Sequence, residues 1–271
     1  MSKRSFLAVF DSARPTDSFA DAMLAVSDTL AARMTFGLLA PAPVPGERTF
    51  PEHLSREQFN ELVEAKEQKL WTIARARECD VRIFIDTVDA ALDAVTRASR
   101  CFDLVCIGPA DSYVDRDLRA MLIEALLIHS GKPLLLLPDH GPTGVFRQLV
   151  VGWDGMSQVV RALDCSLQLC RSDARVDLVS ILPLDSPLAL RTSADDMTAR
   201  LSELGMSAFS SLVQRQRQSI AAALLAKAAA EAADLVVLGG YGHARLEETL
   251  FGGTTREIIH GAHNVPILIA H

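Results

Sequence analysis

DLVVLGGYGHARLEETLFGGTTREIIHGAHNVPILIAH, running from Asp234 to His271, decides the fold. It opens on an Asp, passes through an apolar strand to Gly239, crosses a glycine-bearing loop, builds a helix and closes with Pro266 and a second apolar strand. DLVCIGPADSYVDRDLRAMLIEALLIHSGKPLLLLPDH, from Asp103 to His140, does the same. Further upstream, SFLAVFDS (Ser5–Ser12) matches QLVVGWDG (Gln148–Gly155), which makes Asp11 and Asp154 equivalent. A repeat of this length means two copies of one domain. The copies differ in their loops: the second holds Gly239, Gly242, Gly252 and Gly253, whereas the first keeps only Gly108. Expected domains are therefore 1–140 and 146–271, joined by HGPTG (His140–Gly144) as a linker.

Each copy is long enough to bury its own core, and the 271 residues carry 49% hydrophobic and 23% charged side chains, a globular composition. No apolar run approaches a membrane span, and MSKRSFLAVFDSARP does not read as a signal peptide, so no membrane partner is expected and the cytoplasm is the default compartment. The formal charge of −7 repels a phosphate backbone and argues against nucleic acid. Any anion site must be local and built from main chain. The five cysteines lack CxxC spacing and read as small hydrophobes.

Strand and helix patterns alternate throughout. Strands are expected at Ser5–Phe10, Thr35–Leu39, Val81–Ile85, Leu104–Ile107 and Pro133–Leu137, then at Leu149–Trp153, Val176–Ile181, Ala208–Val213, Leu235–Leu238 and Pro266–Ala270. The helices between them include Ser157–Arg171 and Thr255–Ala262, and Gly205 reads as a C-terminal cap. Continuous apolar strands fit parallel sheets covered on both faces. The fold class expected is α/β, with two tandem doubly wound parallel five-stranded sheets. Ligands of such sheets sit beyond the carboxyl ends of the strands where the winding reverses. By analogy with such folds, that reversal places Asp154 and Gly239 on neighbouring strands.

Gly239-Gly240-Tyr241-Gly242, nine residues, then Gly252-Gly253-Thr254 form the candidate site. A phosphate chain needs converging N–H groups, and glycines remove the Cβ that would keep backbone away from it. Thr254 and Glu257 have capping-box spacing, so the loop is expected to hand an anion to a helix N-terminus. The plainer reading, that these glycines are only turns and Thr254 only a cap, is outweighed by the loop's place at a strand end opposite an acidic residue.

At these residues the chain resembles the universal stress protein family, with G-x2-G-x9-G lying between a DLVVLG strand and a final PILI strand. The resemblance covers the whole chain as a tandem pair. It implies Rossmann-like sheets of strand order 3-2-1-4-5 and an ATP site in which the glycine loop holds the triphosphate. An Asp after the first strand and main chain at the end of the second meet the adenosine. Carried over, the positions are Asp154, Ile181, Gly239, Gly242 and Gly252. The small hydroxyl residue after the third glycine is replaced by Gly253, with Thr254 and Thr255 following, which removes one expected hydroxyl contact and leaves open whether Thr254 substitutes for it. Expected ligands are an adenine nucleotide, ATP, with Mg2+ as companion. The family also implies pairing through the fifth strands, here as an intramolecular pseudo-dimer of the two domains, with a homodimer of the whole chain as a further expectation.

In the first copy Asp111 stands where Gly242 stands in the second, and Arg119 or Ala120 falls at the last glycines. A carboxylate there repels phosphate, so domain 1–140 reads as degenerate and Asp11 as a strand-end cap. HSGKP (His129–Pro133) lacks the first glycine of a phosphate-binding P-loop and reads as a turn. His260 and His263 share a helical face and read as C-terminal cations rather than metal ligands. Trp153 reads either as an adenine-stacking or a buried strand-end aromatic. No residue is an evident base for water, so a stress-response binding protein ranks first. A nucleotide-free scaffold follows, and a slow ATPase comes last.

Overall fold

Asp103 and Asp234, the residues that open the two repeats, do the same job. Asp103 accepts from the Ser5 N–H at 2.8 Å and its own N–H donates to Ser5 O at 2.8 Å. Asp234 accepts from the N–H groups of Arg147 and Gln148 at 2.8 and 2.9 Å, and returns its N–H to Gln148 O at 2.9 Å. Each carboxylate thus ties the amino ends of two neighbouring strands and sets their register.

The computed structural model describes residues 3–11, 17–44, 55–113, 115–138, 144–182, 189–215, 217–240, 253–261 and 263–271. The chain divides into two units, Met1–Gly144 and Val145–His271. The first contains β1 (Ser5–Asp11), α1 (Asp17–Leu30), β2 (Arg33–Pro41), α2 (Arg56–Ala76), β3 (Asp80–Asp86), α3 (Val88–Ser99), β4 (Leu104–Ile107), α4 (Arg116–His129) and β5 (Leu134–Leu136). A 3-10 turn, Ala110–Ser112, precedes α4. Its strands run parallel in the order β3-β2-β1-β4-β5.

The second unit contains β6 (Phe146–Gly152), α5 (Ser157–Ser166), β7 (Cys170–Leu182), α6 (Ala189–Glu203), β8 (Ser207–Gln214), α7 (Ile220–Ala230), β9 (Leu235–Gly239), α8 (Gly253–His260) and β10 (Ile267–Ala270). Its strands are parallel in the order β8-β7-β6-β9-β10. Both units are doubly wound α/β sheets. Phe6–Phe10 of β1 and Leu149–Val151 of β6 are buried, as central strands covered on both faces must be.

Helix exits follow local chemistry. Gly205 (φ 91°) closes α6, with the Met206 N–H reaching back to Leu201 O at 3.1 Å. Ala31, Glu78 and Ala232 end their helices in the same left-handed region without being glycine, at φ 49°, 54° and 49°. The α5–β7 boundary differs from expectation. The helix stops at Ser166 rather than Arg171, and β7 begins at Cys170 rather than Val176. The extra strand length is taken up by an irregular register, Phe146 opposite Cys170 but Gln148 opposite Arg175. Burial pushes the Cys170 thiol up to about 11, making it an inert filler of this junction.

Candidate functional site

The carboxyl edge of β6, β7 and β9 brings together three of the residues singled out in the sequence. Gly152 lies opposite Leu238 on β9 and opposite Val179 on β7. Asp154 and Ile181 each lie two residues beyond those partners, and Gly239 lies one beyond. All three therefore emerge at one level. Gly242 and Gly252, together with His243, Arg245, Glu247 and Glu248, lie outside the described residues.

Asp154 orders the entrance to α5. One of its carboxylate oxygens accepts from the Met156 N–H at 3.0 Å, an Asx turn that serves where Met156, the N-cap, offers no side-chain acceptor. Gly155 follows at φ 75°, a conformation that only glycine adopts freely. Trp153 is buried, 5% exposed, and its indole N–H donates to Ser193 Oγ of α6 at 3.1 Å. Burial and the engaged indole N–H suit the strand-end reading of this ring.

Gly239 has a packing explanation. A Cβ there would lie 2.7 Å from Val159 N in the first turn of α5, closer than real side chains approach backbone. Gly240 is engaged on both sides. Its N–H donates to Ala270 O at 2.7 Å, and its carbonyl lies 3.1 Å from His271 Nδ1. Gly253 is different: it opens α8, and among the described residues a Cβ on it would meet nothing within 4 Å. With Arg256, Glu257 and His260 it lines an open groove of about 330 Å³. N–H groups in a helix's first turn have no acceptor within the helix, so this open end favours negative charge.

The capping box expected at Thr254 and Glu257 does not form. Helix α8 starts one residue before Thr254, and Glu257 instead accepts from Ser219 Oγ at 2.7 Å. Ser219 is the N-cap of α7 and also accepts from the Ala222 N–H at 3.0 Å, so one hydroxyl joins two helices. At the far end of α8, His263 lies with Nε2 against Ile258 O, the helix-terminal role expected of a histidine here. Among the described residues, no group of three or more His, Cys, Asp or Glu is arranged to hold a metal ion.

Beneath α7 lies an ionic cluster that sequence reading missed. Asp177 of β7 is 0% exposed; it accepts from Ser211 Oγ at 2.9 Å and pairs with Lys227 Nζ at 3.2 Å, while Lys227 also meets Glu231 at 2.7 Å. Burial raises the Asp177 carboxyl above the usual range, and the Ser211 and Lys227 contacts offset this in part. An Asp inside the apolar run VDLVS was the available signal.

The universal stress protein family model matches residues 146–271. The C-terminal unit is a universal stress protein domain. No curated protein sequence matches the chain. Among solved structures, a universal stress protein from Archaeoglobus fulgidus DSM 4304 is similar over 97% of this chain and 95% of its own, with a TM-score of 0.71 at 14% identity. A second, described as a putative universal stress protein from Pseudomonas aeruginosa, covers 99% of this chain and 93% of its own, with a TM-score of 0.62 at 13% identity. At such identities the likeness shows the fold alone, shared along nearly the whole chain. Among the described residues, no helix is long and apolar enough to cross a membrane.

Proposed function

We propose that the C-terminal unit is a stress-response module binding one adenine nucleotide, ATP first, at the carboxyl edge of β6 and β9. Its role is regulatory or protective rather than catalytic, and it is exercised in the cytoplasm. The observation that carries this reading is Gly253. In a unit of this family it opens the helix that follows β9, with none of the described residues within 4 Å of where a Cβ would stand, while the carboxyl edge of β6 and β7 presents Asp154 and Ile181. In this reading Asp154 and main chain at Ile181 meet the adenosine. Gly242, Gly252, Gly253 and Thr254 surround the triphosphate, and Gly239 lets β9 approach α5 closely enough to form the crevice floor. Mg2+ would bind through phosphate oxygens and water, which needs no dedicated protein cage. The nucleotide-free scaffold draws its support from the packing role of Gly239, which accounts for that glycine without a ligand.

The test is direct. Protein purified without added nucleotide is denatured and the released material chromatographed, and the native chain is titrated with ATP by calorimetry. ATP in the supernatant, or one site per chain in the titration, is the expected result. An empty supernatant together with no heat of binding leaves the scaffold.

A further inference from the structure

We propose that the strand-end crevice of the N-terminal unit is a guanidinium site, permanently occupied by the chain's own Arg119. Arg119 belongs to the first turn of α4, the helix end that disfavours a cation, yet it is only 3% exposed. A guanidinium is buried at tolerable cost only where acceptors replace its water. One such acceptor stands at the carboxyl end of β4, and a buried carboxylate ends the neighbouring β1. Arg119 Nε donates to Gly108 O, just beyond β4, at 3.0 Å. Asp11, the last residue of β1, is 1% exposed.

Tyr113 closes the cluster at 2% exposure, its hydroxyl donating to Val9 O of β1 at 2.7 Å. Burial pushes this phenol above its ordinary range, while Arg119 lowers it and Asp11 raises it, so both charges reach the same hydroxyl. Phe19 of α1 forms a wall: a Cβ on Gly108 would lie 3.0 Å from its ring, and Phe10 stacks against it at 4.6 Å. Arg119, bonded to Gly108 O, thus shares one buried cluster with the Asp11 carboxylate and the Tyr113 phenol, surroundings that suit a planar guanidinium with five donors. The site holds independently of what the C-terminal unit binds.

Chemical rescue tests the assignment. In the full-length chain, Arg119→Ala is expected to lower Tm by at least about 5 °C, because it removes the buried donor to Gly108 O and leaves a cavity. Millimolar methylguanidinium should restore at least half of that loss, methylammonium at the same concentration should not, and neither should move the wild type. An unchanged Tm in the variant, or equal effects of the two cations, overturns the proposal. Should Arg119→Ala not fold, the wild type decides by NMR. The Arg119 Hε resonance, assigned by its loss in Arg119→Lys, should exchange slowly with water at neutral pH. A fast-exchanging Hε overturns the proposal as well.

Discussion

At the carboxyl edge of β1 and β4 the chain buries Arg119 and Tyr113; in the second unit Gly253, which opens the helix after β9, has none of the described residues within 4 Å of where a Cβ would stand. The same strand order and the same aspartate staple underlie both edges. The one glycine the loops share, Gly108 and Gly239, is explained in both by close approach of the first crossover helix, at Phe19 in α1 and Val159 in α5. These two residues each stand third in their helix. Shared glycines therefore report architecture, and the unshared ones, Gly242, Gly252 and Gly253, are where chemistry is to be sought.

The comparison breaks most sharply at Gly242. Gly242→Asp copies Asp111 of the first unit, and a unit charge about 4 Å from a phosphate at an effective dielectric of ~20 costs about 4 kcal/mol. Calorimetry should show ATP affinity falling by roughly a hundred- to a thousandfold with an unchanged circular dichroism spectrum. Unchanged affinity removes Gly242 from the site. Next in size, Gly239→Ala should destabilise the C-terminal unit by about 2 kcal/mol, since the new methyl meets backbone that cannot swing aside. Gly253→Ala, by contrast, should leave the denaturation midpoint within about 1 kcal/mol of wild type. Equal midpoints for the two variants would erase the distinction between packing glycine and open glycine.

Gly108→Ala meets the edge of a ring rather than main chain, and about 1 kcal/mol is expected, read from the midpoint of urea denaturation. The smallest effect concerns pH. The Asp177 carboxyl is raised in the folded state above its unfolded value, so its favourable contribution is complete below about pH 4, the ordinary aspartate range, and is lost as pH rises through the folded value. Relative to Asp177→Asn, the wild type should lose stability over that rise. A difference that stays flat from pH 4 to 8 would show that Lys227 fully compensates the burial.

Period and repetition made the fold readable. Continuous apolar strands, the paired Asp–strand–Gly openings and Gly205 each have one structural meaning at their position. The α5–β7 boundary was not readable, because Arg171-Ser172-Asp173 looks like a helix end. Only the register irregularity shows it to be bulged strand, with Arg171 Nε bonded to Asp173 at 2.7 Å. The capping box failed for a related reason. Spacing permits it, but φ and ψ of the entering chain decide it, and Ser55 with Gln58 forms the box that Thr254 and Glu257 do not. At the site, strand order taken by analogy put Asp154 and Gly239 on neighbouring strands, and Ile181 came from the family resemblance alone. The plug in the first unit left no signal, since an arginine four residues into an amphipathic helix ordinarily faces water.

Helix α8 is eight residues long, below the length at which a helix stands unaided in water. Its hold on position comes from the burial of Ile258 and Ile259 and from α7 through the hydroxyl of Ser219, and α7 is in turn pinned to the sheet by Lys227 on Asp177. The amides of α8 should then lose their hydrogen-exchange protection in the same step as those of α7, so that the segment beginning at Gly253 melts as the free end of its neighbour rather than as a unit of its own.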